Sequence, residues 1–343
     1  MKQILLTDEI REMANEYAAN LFVNKRAVFI QPEEGLSNLQ TDIIEINDGL
    51  ADKAAYVAYI EKIIDEYDEL KKLLPSSFAK KKEEFDELLS PELLSTEIKV
   101  RASRLPDDEG LRRELQPQSV KFFEEVVARM RYKDARPVLA KYMMEKIGIQ
   151  TCVYCNNADA TYSDEQEEAY YHFDHWKPKD EYPFLSVCFF NLYPCCANCN
   201  GHKLDGSKGS FQLYAELDEV ADPFEFVVNR NGYEAMKPET LKVEFNARRI
   251  LAREYCAEYN NVYRIERFYN APSGLRQVEK LLYDIDKHRC SYPSATNVSF
   301  SKGIVDREEL FHFVLGVDPD ENNIFTDVKK KLKLDTAKDM GMI

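Results

Sequence analysis

Apolar residues recur at helical spacing through the first 150 residues of the chain. Over residues 53–73 they fall at three- and four-residue steps with charged residues between them, which predicts an amphipathic helix. Ser119 precedes a second such run and is expected to be its N-cap. Residues 135–147 predict a third helix, in which Pro137 is tolerated because it lies near the start.

The pattern changes at residue 151, where cysteines, histidines, aromatic residues and turn residues become dense up to about residue 217. Residues 225–228 then suggest a short strand with a turn at 229–232, and helical spacing returns over 245–268 and 275–286. We therefore predict a mainly helical α+β protein with a helical N-terminal region (1–150), a small central module (151–217) and a mainly helical C-terminal region (218–343). Whether the two helical regions form one core or two is left open.

Composition and charge narrow the class of protein. Hydrophobic residues make up 44% of the chain and charged residues 31%, as in ordinary soluble globular proteins. No stretch resembles a membrane span, and the N-terminal segment lacks the apolar core of a signal peptide, so the predicted location is the cytoplasm. The net charge of −15 argues against a protein that grips nucleic acid with its whole surface, although a local basic groove, metal ions or a basic partner could still bind it.

Eight cysteines are present, and most of them lie between Cys152 and Cys199. Two Cys-x-x-Cys pairs, Cys152 with Cys155 and Cys196 with Cys199, have the spacing at which both thiolates of a pair reach one ion around a tight turn. Two such pairs complete a tetrahedral four-thiolate site, so the sequence predicts a structural Zn²⁺ that contributes folding energy.

Several alternatives remain for the cysteines. Cys195 adjoins Cys196 and competes with it as a ligand, although Cys196 has the two-residue spacing to Cys199. Cys188 lies in an apolar run and is expected to be a packed core thiol. An iron site is a minor alternative, and a redox role of the pairs would require a βαβ context that the pattern does not show.

Polar residues suited to phosphodiester chemistry surround the second pair. Their order is Asp174-His175, then Asn191-Leu192, then Cys196-x-x-Cys199-Asn200-x-x-Lys203. This order resembles the HNH (ββα-metal) endonuclease motif in its zinc-stapled form, over roughly residues 150–215, with asparagine at the third motif position instead of histidine. The resemblance implies a ββα-metal hairpin and a metal-dependent nuclease.

Hydrolysis of a phosphodiester requires an activated water and a cation that neutralises charge on the phosphate. His175 suits a general base because the ordinary pKa of histidine lies near neutral pH, and Asp174 offers a hard oxygen ligand to Mg²⁺ or Mn²⁺. Neighbours on a strand point to opposite faces, and the resemblance implies a loop or bulge that resolves this conflict. It also implies that Asn200 begins the motif helix as the second metal ligand and that Asn191 holds the hairpin in register.

Structural roles are the alternatives for most of these residues. Asn191 could cap a turn, and Asn200 could cap a helix. His172 would share a strand face with Asp174 and is either a further ligand or a structural histidine. His202 shares the last cysteine pair but would point elsewhere on a helix.

A local group of basic residues stands out against the acidic chain. A phosphate backbone is expected to lie along it, and its members are Lys177, Lys179, Lys203 and Lys208. Lys203 is expected either to contact phosphate or to face solvent. The aromatic residues Trp176 and Tyr182 either pack the hairpin or stack on a base.

A narrower resemblance covers 173–179, 182–186, 190–194, the last cysteine pair with Asn200, and 222–224. These stretches are similar to the nuclease subunit of Septu-type anti-phage systems and to retron-associated nucleases. The resemblance implies a defence role beside an ABC- or RecF-like ATPase partner.

The sequence therefore predicts an HNH endonuclease that cleaves nucleic acid, with DNA favoured. Two other classes remain, a non-catalytic zinc module that binds nucleic acid or protein, and a redox protein. With one active site per chain, cutting both strands would need a homodimer or two successive nicks.

Overall fold

The computed structural model confirms an α+β protein that is mainly helical. It describes residues 1–23, 25, 29–101, 117–163, 168–203, 211–217, 220–230, 240–288, 297–300 and 303–343. The strands in these ranges form two-stranded pairs, so no larger sheet joins the described parts of the chain.

The N-terminal region is built mainly of helices. They are α1 Asp8–Asn20, α2 Pro32–Ile46, α3 Lys53–Asp65, α4 Tyr67–Leu70, α5 Phe78–Asp86, α6 Phe122–Arg129 and α7 Tyr132–Lys141, with 3₁₀ turns at Pro75–Ser77 and Pro91–Ser95. Thr7 caps α1 by accepting a hydrogen bond from the Ile10 N–H at 3.3 Å. The run predicted as one helix over 53–73 is divided at Glu66, between α3 and α4.

The prediction that Ser119 caps a helix is wrong. The strands of this region are β1 (Ile4–Leu5), β2 (Glu97–Val100) and β3 (Gln118–Lys121). Ser119 lies in β3, which pairs antiparallel with β2. Its hydroxyl donates to Glu97 Oε2 at 2.9 Å across the pair. The helix α6 begins only at Phe122, because pairing with β2 holds the preceding residues extended.

The helix predicted over 135–147 starts earlier and changes character before its end. It begins at Tyr132, so Pro137 lies inside α7, and it continues as a π-helical turn over Tyr142–Lys146. Arg129, the last residue of α6, is buried and pairs with Glu125 at 2.5 Å and with Asp42 of α2 at 3.7 Å. The pair with Asp42 connects α6 to α2, whereas the pair with Glu125 lies within α6.

The central module contains short strands and one short helix. These are β4 Tyr162–Ser163, β5 Glu168–Ala169, β6 His172–His175, β7 Leu192–Cys195, α8 Ala197–Lys203 and β8 Tyr214–Ala215, with 3₁₀ turns at Pro183–Leu185 and Phe189–Asn191. The antiparallel pairing of β6 with β7 runs regularly from His172 opposite Cys195 to His175 opposite Leu192. The bulge implied by the resemblance is therefore absent from this pair, and the chain bends only after it, at Trp176.

The C-terminal region adds one longer strand pair and further helices. Its elements are β9 Phe224–Asn229, β10 Lys242–Ala247, α9 Arg253–Tyr263, α10 Ile265–Tyr269, α11 Pro272–His288, β11 Asn297–Phe300, β12 Gly303–Asp306, α12 Arg307–Leu315 and α13 Lys330–Asp339, with 3₁₀ turns at Ile250–Ala252 and Ile324–Thr326. The predicted strand over 225–228 and the helix over 275–286 are confirmed. Of the turn predicted at 229–232, Asn229 still belongs to β9, and residues 231 and 232 lie outside the described residues.

The prediction of one helix from residue 245 is wrong at its start. Phe245 belongs to β10, where it lies opposite Phe226 of β9, and Val243 lies opposite Val228. All four side chains are buried. Alternating burial along the paired strands therefore decides the conformation here, and helix begins only at Arg253.

One continuous cluster of buried apolar residues includes members of all three predicted regions, from Met1 to Met342. Hydrogen bonds join the regions as well: Tyr17 of α1 donates to the Val187 carbonyl at 2.9 Å, and Phe189 N–H donates to the Lys71 carbonyl at 2.8 Å. The central module is thus supported by the helices around it. No helix in the described ranges combines the length and apolar character needed to cross a membrane.

Candidate functional site

The two Cys-x-x-Cys pairs come together as one four-sulfur cluster. The sulfur atoms of Cys152, Cys155, Cys196 and Cys199 all lie within 4.8 Å of one another. Cys155 Sγ and Cys196 Sγ are 3.9 Å apart. A tetrahedral zinc ion with bonds of about 2.3 Å places its sulfur ligands about 3.8 Å apart, so the cluster could hold a metal ion such as zinc.

The protonation of these thiols is strongly interdependent. Hydrogen bonds from Cys152, Cys155 and Cys199 lower the pKa of Cys196 far below its ordinary value, whereas contacts with Cys152 and Cys196 raise the pKa of Cys155 and Cys199. Four sulfurs this close cannot all carry negative charge without a cation between them. A bound divalent ion supplies that charge and makes deprotonation of the remaining thiols favourable.

The choice between Cys195 and Cys196 follows from the strand. Cys195 is the last residue of β7 and lies outside the four-sulfur cluster, and burial raises the pKa of its thiol. Cys196 follows Cys195 at the turn into α8 and belongs to the cluster. This confirms the choice of Cys196, which the sequence favoured because Cys196 has the Cys-x-x-Cys spacing to Cys199. Cys188 is a buried thiol whose Sγ lies 3.4 Å from the Leu73 carbonyl, as expected of a core cysteine.

Aromatic residues of the C-terminal region hold the first cysteine pair. The Tyr259 hydroxyl donates to the Tyr154 carbonyl at 2.6 Å, and the Tyr269 hydroxyl donates to the Cys155 carbonyl at 2.8 Å. The ring of Tyr154 stacks on Tyr263 with centroids 4.5 Å apart. These contacts could not be predicted from the sequence, because Tyr259, Tyr263 and Tyr269 look like ordinary helix core residues.

Asp174 is held through one of its two carboxylate oxygens. Its Oδ2 accepts hydrogen bonds from the Tyr154 hydroxyl and from Lys203 Nζ, the latter at 2.6 Å. Its Oδ1 has no hydrogen-bond partner among the described residues. One oxygen is thus anchored to the first cysteine pair and to α8, while the other is available to a ligand.

Lys203 was expected either to contact phosphate or to face solvent, and its environment in the structure differs from both. Its side chain is only 12% exposed, and its ammonium donates to Asp174 Oδ2, to the His175 carbonyl at 2.7 Å and to the Trp176 carbonyl at 3.3 Å. These acceptors match the three hydrogens of an ammonium group. Lys203 therefore fixes the end of β6, and in this arrangement it has no spare donor for a phosphate.

His175 is buried beside the ring of Tyr132, with centroids 4.6 Å apart. Its Nε2 lies 3.1 Å from the Ser186 carbonyl oxygen, which can only accept a hydrogen bond. The neutral ring must therefore carry its proton on Nε2, leaving the lone pair on Nδ1. Burial lowers the pKa of His175 to about 3, and the positive charges of Lys179 and Lys203 act in the same direction. The hydrogen bond with the Ser186 carbonyl raises the pKa but does not outweigh burial, so the ring is neutral at pH 7.

Asn191 fixes the loop that follows His175. Its fully buried side chain accepts a hydrogen bond from the Lys177 N–H at 2.7 Å and donates to the Lys177 and Leu185 carbonyls, each at 3.2 Å. Its own carbonyl accepts from the Trp176 N–H at 2.8 Å. These bonds connect distant points of the loop, so Asn191 does more than cap a local turn.

A cavity of about 530 Å³ collects the predicted polar residues. Asp174, His175, Asn200 and Lys203 line it together with His172 and Lys179. Asn200 lies inside α8, which begins at Ala197, so it neither begins nor caps that helix. Asn200 is half-buried and lines the cavity that Asp174 also lines, so one residue with a carboxylate and one with an amide border a common space.

Other predicted residues lie away from this cavity. Lys177 and His202 are not among its lining residues. The ammonium of Lys177 sits 4.3 Å from the centre of the Trp176 ring, and burial lowers its pKa. Lys208 lies outside the described residues. Of the three described lysines in this group, Lys179 and Lys203 line the cavity and Lys177 does not.

The two aromatic residues of the hairpin pack in the interior. Trp176 is 8% exposed and lies parallel to Tyr193, with centroids 6.0 Å apart. Tyr182 is half-buried against Phe184. Packing, the first of the two alternatives, accounts for both.

Two residues at this site were not anticipated. Tyr154 lies between the first two cysteines and bonds to Asp174, and Arg136 of α7 lines the cavity from the N-terminal region. Neither stands in a local pattern that indicates chemistry. Comparisons with protein-family models, with curated proteins and with solved structures gave no match to this chain.

Proposed function

We propose that this chain is a metal-dependent endonuclease of the HNH type that hydrolyses phosphodiester bonds of nucleic acid, with DNA as the expected substrate. The observation that carries the proposal is the meeting of Asp174, His175 and Asn200 at one cavity beside the four-cysteine cluster. Its volume falls within the range of about 300–1000 Å³ typical of ligand sites. The motif similarity and this geometry support the same chemistry independently.

His175 is the proposed general base. With Nε2–H directed to the Ser186 carbonyl, Nδ1 can accept a proton from a water molecule. As the proton moves to Nδ1, the water oxygen forms a bond to phosphorus and the opposite P–O ester bond breaks. The departing oxygen then takes a proton from solvent.

Asp174 and Asn200 are the proposed ligands of the catalytic ion. Asp174 Oδ1 and the Asn200 amide oxygen are hard donors of the kind that Mg²⁺ and Mn²⁺ prefer. When bound, the ion stabilises negative charge on the phosphate and on the departing oxygen. Two protein ligands leave coordination positions for waters and for the substrate.

The four cysteines are proposed to hold a structural zinc ion. All four thiols belong to the protein, so a tetrahedral site has no open position for substrate. The ion would fix the turn that carries Tyr154 and the start of α8, which carries Asn200. Its contribution is therefore to folding and to the placement of the cavity residues.

A non-catalytic zinc module that binds nucleic acid or protein is the second candidate. The observation in its favour is the ion pair between Lys203 and Asp174, which already neutralises the carboxylate. A module of this kind would bind nucleic acid without cleaving it.

We further propose a role in anti-phage defence beside an ABC- or RecF-like ATPase, and a cytoplasmic location. Both rest on the sequence similarity to Septu-type and retron-associated nucleases. A plaque assay in cells that carry the chain with its neighbouring genes tests the role. Protection by the wild type but not by His175→Ala supports it, and equal protection contradicts it.

The direct test is a cleavage assay with purified protein. Supercoiled plasmid, single-stranded DNA and total tRNA are incubated with Mg²⁺, Mn²⁺ or EDTA. We expect metal-dependent cleavage that His175→Ala reduces at least ~100-fold, because positioned proton transfer contributes about 10²–10⁴-fold. His202→Ala, in the same module but away from the cavity, is the matched control and should retain activity.

The outcomes separate the candidates. Loss in His175→Ala alone supports the nuclease, and the substrate that disappears identifies its class. Equal cleavage by the wild type and His175→Ala removes the assignment of the base. Binding of nucleic acid without cleavage under any metal condition favours the non-catalytic module.

A further inference from the structure

A cation from outside the predicted motif reaches the candidate active site. Arg136 lies on α7, in the N-terminal helical region, and lines the same cavity as Asp174 and His175. Its Nη2 donates to the Tyr171 carbonyl at 3.0 Å, which fixes the side chain against the residue that precedes β6. A positive charge is thereby built into the wall of the cavity.

The guanidinium of Arg136 is incompletely satisfied. Apart from the bond to Tyr171, none of its five N–H groups has a protein acceptor among the described residues, and its Nε is fully covered without a partner. No carboxylate of the described chain forms an ion pair with it. Buried donors are usually paired, and a guanidinium is commonly paired with a carboxylate or a phosphate.

Arg136 differs from Lys179 in its burial and from both lysines at the cavity in the acidic groups near it. Lys203 is neutralised by Asp174 at 2.6 Å. Lys179 is exposed and is followed in the chain by the exposed carboxylates Asp180 and Glu181, which also line the cavity. Arg136 is instead half-buried, and a charge in such an environment is screened less than one at the surface.

We propose that Arg136 is a phosphate-binding residue of this cavity, and that its guanidinium contacts backbone phosphate oxygens of a nucleic acid beside Asp174 and His175. The substrate class rests on the proposed function, but the contact itself does not require cleavage. The planar fork of arginine fits two phosphate oxygens at once. The N-terminal helical region then contributes directly to substrate binding through α7.

Binding measured without added Mg²⁺ or Mn²⁺ tests this inference separately from catalysis. Fluorescence anisotropy follows a labelled DNA duplex at several salt concentrations. We expect Arg136→Gln to weaken binding about 10- to 100-fold, because a charge-assisted hydrogen bond is lost. The slope of log affinity against log salt should fall by about 0.9, which a purely structural role would not produce.

Two further variants serve as controls. Lys133→Gln removes one positive charge from an exposed position of the same helix and should keep affinity within about twofold with an unchanged slope. Arg136→Lys keeps the charge but loses the fork, so affinity should fall while the slope is retained. If Arg136→Gln fails to fold, Arg136→Lys becomes the test. An unchanged affinity of Arg136→Lys for the duplex overturns the assignment, and a weakened affinity at an unchanged melting temperature supports it.

The failures of the two proposals can be told apart. Cleavage by the wild type together with unchanged affinity of Arg136→Gln overturns the role of Arg136 and leaves the nuclease intact. Weakened binding by Arg136→Gln in a protein that never cleaves supports the phosphate contact and removes the nuclease. A wild type that neither binds nor cleaves DNA or RNA removes both.

Discussion

The four-cysteine cluster and the cavity at Asp174 share the helix α8 but are built in different ways. The cluster takes all its ligands from two short turns, and three of its four cysteines are buried. Backbone carbonyls of the first turn are held by Tyr259 and Tyr269. A bound metal would therefore complete a site whose surroundings are already packed.

The cavity instead gathers side chains from β6, α7 and α8, which are distant in sequence. Its central carboxylate, on Asp174, is shared between Tyr154 and Lys203 through one oxygen and offers the other. The arrangement resembles a ligand site more than a structural one, because Asp174 Oδ1 and most N–H groups of Arg136 have no hydrogen-bond partner among the described residues. Under the proposed function, the cluster would stabilise the fold and the cavity would carry the chemistry. Tyr154 connects the two, because it lies between Cys152 and Cys155 and its hydroxyl donates to Asp174.

The largest expected effect distinguishes Cys196 from its neighbour Cys195. Cys196→Ser removes a cluster ligand, so we expect zinc content to fall from stoichiometric towards zero. If this costs about 4 kcal/mol of the free energy of unfolding, the melting temperature of this 343-residue chain should fall by roughly 6 °C. Elemental analysis and thermal unfolding measure both.

Cys195→Ser is the matched control, since it changes an adjacent buried thiol outside the cluster. It should retain stoichiometric zinc. Loss of zinc from Cys195→Ser with retention in Cys196→Ser would mean that the strand β7 is shifted by one residue relative to the cluster.

The same contrast explains what could be predicted from sequence. The cysteine pairs were identifiable because metal ligation imposes a local spacing, and the structure brings their sulfur atoms together. Asp174, His175 and Asn200 were found through motif order. Arg136 and Tyr154 could not be found in this way, because their relation to Asp174 depends on how distant segments pack.

Errors in the fold have a related cause. Ser119 has the chemistry of an N-cap, but pairing of its strand with β2 overrides that local preference. Phe245 fits a helical pattern extended from the following segment, yet its strand pairing with Phe226 decides the conformation. The boundaries of the three predicted regions remain predictions, and one buried cluster includes residues of all three regions.

A smaller effect is expected where the two sites meet. Tyr154→Phe removes the hydroxyl that donates to Asp174 while keeping the ring that stacks on Tyr263. We expect a loss of about 1 kcal/mol in the free energy of unfolding, with zinc retained. If the chain is a nuclease, cleavage should fall about tenfold, because one of the two anchors of Asp174 is missing.

Tyr59→Phe is the control for this change, because the buried hydroxyl of Tyr59 has no hydrogen-bond partner in the part of the chain that the structure describes. Its removal should leave stability unchanged or slightly increased. Wild-type stability and cleavage in Tyr154→Phe would show that the hydroxyl does not position Asp174 and that the two sites are independent.

The smallest effect concerns the pH dependence contributed by His175. Burial lowers the pKa of His175 in the folded chain to about 3, whereas an unfolded histidine has a pKa of about 6.5. Between these values the unfolded state binds a proton that the folded state does not. Stability from this residue is therefore fully present above pH 6.5 and is lost as the pH falls towards 3.

Comparison with His175→Gln isolates this contribution, because protonation of the cysteines affects both proteins alike. From pH 7 to pH 6, the wild type should lose about 0.7 kcal/mol of unfolding free energy relative to the variant. Chemical denaturation at both pH values measures the difference. A difference that stays constant would mean that the pKa of His175 is the same in the folded and unfolded chain, and a difference that grows in favour of the wild type would mean that folding raises this pKa; either result contradicts the neutral, buried ring.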